Sequence, residues 1–320
     1  MFNKPSRGSI LRILFFDDFK LGVLSEDSVI DLSNTVSDIP MVGPHDLING
    51  LIENFEKYRG SIEDAIGTGQ RVPLSNVRIR PPLPRPVNID CMAVNYMEDG
   101  TLPERPAINA FTKASNSVIG PNDTMVLQDI PATVFEGEAE LGVVIGKRCY
   151  QVSQDNAMDY VFGYVNFIDG SARGMPPASN VFFQMKGRET FTPIGPYLVT
   201  KDEINNPQEL PIKLWVNGKI MQDFNTNDMA HNIKRCIEFV SHVHTLEPGD
   251  IIATGTNHGG LNPFHDGDTV ELECEGMGRL KINIRDDLKR TWERTTRLER
   301  KNKGLEPPHA PQLTGKYGPE

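Results

Sequence analysis

Hydrophobic and polar positions alternate in short blocks along most of the chain, and the period changes at a few places. Residues 9–33 (SILRILFFDDFKLGVLSEDSVIDLS) set β-rich runs between turn residues such as Gly22, which predicts two or three strands in a meander. Residues 45–67 bring Leu47, Ile48, Leu51, Ile52 and Phe55 to helical spacing. Arg80–Pro86 (RPPLPRP) then interrupts both periods, because so many prolines fit neither a helix nor a central strand, and an extended linker is expected. Strand patterns follow at 87–94, 133–146, 212–218, 250–256 and 268–284, with a helical period at 229–244. Beyond Arg285 the run DDLKRTWERTTRLERKNKG is charged and helical, and a Pro-rich tail ends the chain. The pattern divides into a small N-terminal α/β domain (1–80), a Pro-rich linker (81–87), a large second domain (88–286) and a charged C-terminal helix and tail (287–320). The fold class is β-rich α+β, with a rolled or barrel-like sheet.

Composition narrows the function classes. The 320 residues carry 33 Lys and Arg against 43 Asp and Glu, a net charge of −10, and 38 % are hydrophobic. That apolar share suits a folded chain. The acidic balance argues against nucleic-acid partners, since no excess of cations is available to neutralise a phosphate backbone. It leaves an anionic small molecule open, because a metal or a few local cations reverse the sign inside one pocket. Cys91, Cys149, Cys236 and Cys274 form no CxxC pair and fit no zinc module, so reduced thiols are expected. The start MFNKPSRGSILRILFF breaks at Asp17 and Asp18, too soon for a signal peptide, and no run approaches the ~18 apolar residues of a membrane span. A soluble cytoplasmic protein without membrane partners is the expectation.

The densest candidate chemistry is in residues 135–146, FEGEAELGVVIG. On a strand alternate side chains share a face, so Glu136, Glu138 and Glu140 point together while Leu141, Val143 and Ile145 point the other way. Aligned carboxylates repel one another, more in a cleft than in water. A hard divalent cation relieves that repulsion, and a solvated strand face also tolerates it. Asp169 closes an apolar run before Gly170-Ser171-Ala172-Arg173, where it completes an oxygen-ligand set or caps a turn. Lys186 lies between Phe182-Phe183 and Phe191, as a salt-bridge partner, a substrate-binding cation or an ordinary surface residue.

Taken in order, these and later pieces resemble the fumarylacetoacetate hydrolase family. They are Glu138-x-Glu140-Leu141, Gly163-Tyr164…Asp169-x-Ser-Ala-Arg173, Lys186 with Thr192-Pro-Ile-Gly-Pro196, and Val216-Asn-Gly218 with Gln222, Thr226 and Met229. Leu246-x-Pro-Gly-Asp250, Thr254-Gly-Thr256 and Gly276-Met-Gly-Arg-Leu280 complete the series, from about residue 88 to 286. The resemblance implies a twisted β-roll-like catalytic domain, a homodimer and dependence on Mg²⁺ or Mn²⁺, with Ca²⁺ as a third hard ion. It also implies a small anionic substrate with a 2-keto acid or 1,3-dicarbonyl unit, and C–C bond hydrolysis in the catabolism of aromatic compounds. Carried over by position, Glu138, Glu140 and Asp169 are metal ligands, with Glu136 outside the set. Lys186 orients substrate and water, Arg173 contacts substrate or braces Asp169, and Tyr96, Gly255 and Thr256 bind substrate.

One part of the pattern fails. Family members commonly carry a His and a Glu three residues apart after an Asn-Tyr pair, as the base that activates water. Here Asn95-Tyr96 is followed by MEDGTLPERP, so Asp99 and Leu102 stand at those positions, and the segment is too short for a lid helix. Substitute bases are Glu98, Asp99 or Glu104 on that loop, and His258 just past the Thr256 turn, which is otherwise a solvent-exposed loop histidine. His231, His242 and His244 are expected in structural roles. C–C hydrolysis needs a positioned base. Decarboxylation or keto–enol isomerisation of a 2-keto diacid needs mainly a Lewis acid, so it stands as an alternative. A non-catalytic family member is the third reading; the intact acidic triad and Lys186 count against it.

Overall fold

A computed structural model describes residues 11–319, so the opening of the predicted meander and the N-terminal stretch before it lie outside the described residues. The N-terminal part forms β1 (Arg12–Phe16), β2 (Lys20–Ser25), β3 (Ser28–Asp31), α1 (Pro44–Glu53), α2 (Phe55–Thr68) and β4 (Arg71–Pro73). Next come β5 (Ile89–Met92), β6 (Ala110–Thr112), β7 (Thr124–Val126), β8 (Val134–Ile145), β9 (Val161–Arg173), α3 (Phe182–Lys186) and β10 (Thr192–Thr200). The remainder is β11 (Pro211–Val216), β12 (Lys219–Asn225), α4 (Ile233–Val243), β13 (Ile251–Ala253), β14 (Thr269–Cys274), β15 (Leu280–Arg285), β16 (Thr291–Trp292), α5 (Arg297–Asn302) and β17 (Gln312–Thr314).

The strands order as β4-β3-β2-β1-β10-β9-β8-β13-β5-β6 in one large sheet, and as β12-β11-β14-β15-β7 in a smaller one. Strands β8 and β9 form the longest ladder of the large sheet, from Val134↔Arg173 to Ile145↔Val161. Odd-numbered Leu141, Val143 and Ile145 of β8 pack with Ile212, Leu214 and Leu272 of the smaller sheet and with Ile237 of α4. Even-numbered Val144 packs instead with Leu51, Ile52 and Phe55 of the helix pair. The face covered by α1 and α2 at one end of β8 therefore carries the carboxylates at the other end. The fold is β-rich α+β, as its sequence pattern predicts.

Three expectations about segments change. Residues 11–80 do not stand as a separate domain: β1 pairs antiparallel with β10 (Arg12↔Val199, Ile13↔Leu198) and β1–β4 extend the same sheet. The apolar run RILFF is buried, so its backbone N–H and C=O groups, removed from water, are paired with a strand on each side. The prolines at 81–82 and Leu83 are buried, so the expected linker is a strap packed onto the structure. The long C-terminal helix shrinks to α5. Arg290 is buried and donates to Asp286 (2.9 Å) and to the carbonyls of Leu127, Gln128 and Ile130, while Trp292 Nε1 donates to Thr133 O at 2.6 Å. These anchors hold the chain in extended form and seed the β16–β17 ribbon. Among the described residues no helix is long and apolar enough to cross a membrane.

Candidate active site

Glu138 and Asp169 are directly opposed across the β8–β9 ladder, and Glu140 follows on the same face. Their carboxylate oxygens lie within 4.8 Å of one another and all three side chains are buried. Gly255 sets the third: at φ +87 it turns its N–H onto Glu140 Oε2 at 2.6 Å, and a Cβ there would meet Asn95 at 2.9 Å. Gly255 thus holds an acid through its backbone. Lys186 Nζ donates to Glu138 Oε2 at 2.9 Å and also to Asp169. Lys113, fully buried, donates to Asp169 Oδ1 at 2.5 Å and to the carbonyl of Lys186 at 2.7 Å. Nothing in its local sequence marks Lys113, since only the fold carries the end of β6 to Asp169.

Convergent buried carboxylates make a hard, all-oxygen donor set that suits Mg²⁺ or Mn²⁺ better than a soft metal. Burial and the nearby Asp169 push the Glu140 carboxyl up to about 8; a divalent charge among these oxygens acts in the opposite sense. Glu136 behaves differently. Burial raises its carboxyl, but Arg297 and Arg173 outweigh that and hold it at about 2. Arg173 bonds Glu136 at 2.9 Å and also reaches Glu138, so one guanidinium ties the outer acid to the triad.

A small cavity of about 40 Å³ opens above the triad, lined by Glu138, Arg173, Lys186, Thr256 and His258, with Phe111 and Phe182 stacked at its side. Thr256 is held there by Gln222, whose Nε2 donates to Thr256 Oγ1 (2.9 Å) and to Asn257 O (2.8 Å) while its Oε1 accepts from Ala139 N. Glu98, 160 positions earlier in sequence than His258, accepts from His258 N at 2.9 Å and bonds its Nδ1 at 2.5 Å. Both Glu98 (φ +54) and Asp99 (φ +56) are left-handed, a costly backbone for residues with side chains. The turn is fixed by Asp99 N donating to Asp228 and by Asn257 Nδ2 donating to Asp99. Burial lowers the His258 imidazole below its ordinary range, Glu98 opposing, so the ring is neutral at neutral pH.

The structure brings Glu98 and His258 together with Glu138, Arg173, Lys186 and Thr256 but leaves Tyr96 out. The Tyr96 ring is fully buried edge-on to Phe224 at 5.1 Å, in the core beneath the site rather than in the cavity. Its neighbour Asn95 bridges Thr254 O (2.8 Å) and His231 O (3.0 Å), which pulls the Asn-Tyr pair inward. Glu104 is exposed. His231 bonds Pro106 O and His244 bonds Asp90, contacts that join segments of the fold, while His242 bonds Glu238 O within α4 itself.

Residues 89–285 match the model of the fumarylacetoacetate (FAA) hydrolase C-terminal domain. Maleylpyruvate hydrolase of Aquipseudomonas alcaligenes is 32 % identical over 291 residues, covering 86 % of this chain and 99 % of the relative. The oxaloacetate tautomerase YisK of Bacillus subtilis is 36 % identical over 225 residues, 66 % of this chain and 74 % of the relative. The crystal structure of maleylpyruvate hydrolase from Sphingobium sp. SYK-6, in complex with manganese(II) and pyruvate, superposes with a TM-score of 0.78 at 36 % identity. It covers 86 % of this chain and 99 % of that one.

Proposed function

The chain belongs to the fumarylacetoacetate hydrolase family, and from that premise we propose that it is a divalent-metal-dependent hydrolase of acylpyruvate-type substrates. It cleaves a C–C bond of a 2-keto acid carrying a second carbonyl, in the breakdown of aromatic or related compounds. The observation that carries this reading is the Glu98–His258 pair beside the triad, a positioned base able to activate water, which decarboxylation does not require.

Glu138, Glu140 and Asp169 hold the metal, Mg²⁺ or Mn²⁺, which supplies Lewis acidity to the 2-keto acid end of the substrate when bound. Lys186, Arg173 and the Thr256 hydroxyl face the substrate carboxylate. His258, neutral and aimed by Glu98, takes a proton from water at Nε2. The water oxygen adds to the carbonyl carbon remote from the carboxylate, and the bond from that carbon to the neighbouring CH₂ breaks. The electron pair passes to the departing pyruvate unit, which regains a proton from His258, and the acyl group leaves as a carboxylate. One water is consumed, and one acid and one pyruvate are formed. The same reading places the protein in the cytoplasm, where its buried cysteines stay reduced, as a homodimer whose solution mass is open to direct measurement.

The tautomerase relative favours a second reading, keto–enol isomerisation or decarboxylation of a 2-keto diacid. Acetylpyruvate and oxaloacetate, assayed side by side with Mn²⁺ or with chelator, separate the two. We expect metal-dependent release of pyruvate from acetylpyruvate, lost in His258→Ala. Oxaloacetate turnover that outruns pyruvate release would transfer the function to the second reading, with loss in His258→Ala pointing to isomerisation and survival in it to decarboxylation.

A further inference from the structure

The family match ends at residue 285, yet the chain beyond it returns to the active site. Arg297 N donates to Leu261 O (3.0 Å) and Leu298 N to Gly259 O (2.8 Å), pinning the start of α5 to the loop that carries His258. The Arg297 guanidinium lies on Glu136, two residues before a triad member. Between this C-terminal segment and the Glu98 loop is a cavity of about 500 Å³. His258 lines both this cavity and the small one over the triad, so the two spaces meet at the proposed base.

We propose that this second cavity is the subsite for the acyl group of the substrate, and that it takes an uncharged, apolar acyl chain. The proposal rests on the hydrolase reading above for the direction in which the substrate lies. Two of its walls come from outside the family domain: Leu298 and Leu305 are 49 % and 40 % exposed, and both border the cavity, with Leu102 and Pro308 beside them. Large aliphatic side chains left uncovered next to a reacting centre are stabilised when a ligand covers them. The charged groups of the lining do not favour an anion. Glu98 is taken up by His258, Arg297 by Glu136, and Asp99 by Asn257. The two that remain, Lys301 and Glu306, have opposite signs. An acyl chain ending in a carboxylate would meet Asp99 and Glu306 as well as Lys301, and finds no dedicated cation.

The full-length enzyme with Mn²⁺ is to be assayed on acetylpyruvate, hexanoylpyruvate and succinylpyruvate. We expect kcat/KM for hexanoylpyruvate to exceed that for the other two by about tenfold or more, the scale on which apolar pockets discriminate. Leu298→Glu is expected to abolish that preference, bringing kcat/KM for hexanoylpyruvate down to that for acetylpyruvate or below. Equal turnover of all three substrates, preference for succinylpyruvate, or a hexanoyl preference that survives Leu298→Glu and Leu305→Glu would each overturn the proposal. Binding to His258→Ala, followed by calorimetry, separates this inference from the function it rests on. If no acylpyruvate is turned over but hexanoylpyruvate still binds more tightly than acetylpyruvate, and Leu298→Glu removes the difference, the subsite stands and the hydrolase reading falls. If binding is equal, the subsite falls whatever the activity.

Discussion

In the proposed mechanism His258 is the base and Glu98 sets its direction. A loop imidazole has many rotamers, whereas Glu98 fixes both its backbone N–H and its Nδ1. A base works only in its unprotonated form, so activity is lost as pH falls through the His258 pKa, which burial sets below 6.5 while Glu98 raises it. Removing the Glu98 charge takes away an upward contribution, so in Glu98→Gln the acid limb of the pH–rate profile moves to lower pH. His258→Ala should lower kcat by about 10²- to 10⁴-fold, the range for losing a general base. An acid limb that stays in place in Glu98→Gln would remove Glu98 from its orienting role. At this scale the sequence was informative where chemistry is local. The alternation of Glu136, Glu138 and Glu140 along one strand already places them on one face. It was silent on Lys113, whose partner Asp169 lies 56 positions away, and it allowed Tyr96 a cavity position that the packing of Phe224 takes from it. Glu98 and His258 were each legible as acid and imidazole, but their meeting depends on two loops joined only by the fold.

Among the elements, β5 and the end of α4 are tied by a polar contact between Asp90 and His244. Asp90 is buried and its Oδ1 bonds His244 Nε2 at 3.1 Å, while its Oδ2 has no hydrogen-bond partner. Burial lowers the His244 imidazole, but a bond to Thr245 O and the carboxylates of Asp90 and Asp250 prevail and set it above 6.5. The folded state therefore binds that proton more tightly than the unfolded chain does. The resulting stability is complete below pH 6.5 and is lost as pH rises through the folded pKa. His244→Ala should cost about 1–3 kcal/mol at pH 6, by leaving Asp90 buried without a partner, and the difference from wild type should narrow at pH 8. Urea unfolding at the two pH values measures it; a constant difference would mean that His244 acts by packing alone. The same scale shows why element boundaries were only partly legible. Hydrophobic spacing marks β8, α4 and the α1–α2 region well, because each has one face turned to the core. It cannot say that RILFF of β1 has β10 as its second neighbour, nor that Asp286, Arg290 and Trp292 anchor an extended segment within a run whose composition reads as helix.

For the molecule as a whole, the excess of negative charge becomes a question of where the charges are neutralised. Glu138, Glu140 and Asp169 concentrate three acids in a buried volume, against which the fold sets Lys113 and Lys186, with Arg173 shared between Glu138 and Glu136. Without a divalent ion the folded state bears the repulsion and burial of these groups, and the unfolded chain does not. A metal that binds only the folded arrangement should therefore stabilise the entire chain, by about 2.7 kcal/mol at a hundredfold excess over its Kd. For a domain of this size or slightly smaller that is a rise of several degrees in Tm. We expect Mn²⁺ or Mg²⁺ to raise Tm by that amount relative to chelator-treated protein. Glu140→Gln should remove the rise, because it takes one charged oxygen donor from the set while keeping shape and the bond from Gly255 N–H. Glu136→Gln offers the comparison, since that carboxylate is held by Arg173 and Arg297 and stands outside the triad. Its Tm should drop with and without metal alike, leaving the metal-dependent increment in place. If Glu140→Gln kept the increment, the cation would be binding elsewhere and the triad would be a lysine-neutralised structural cluster.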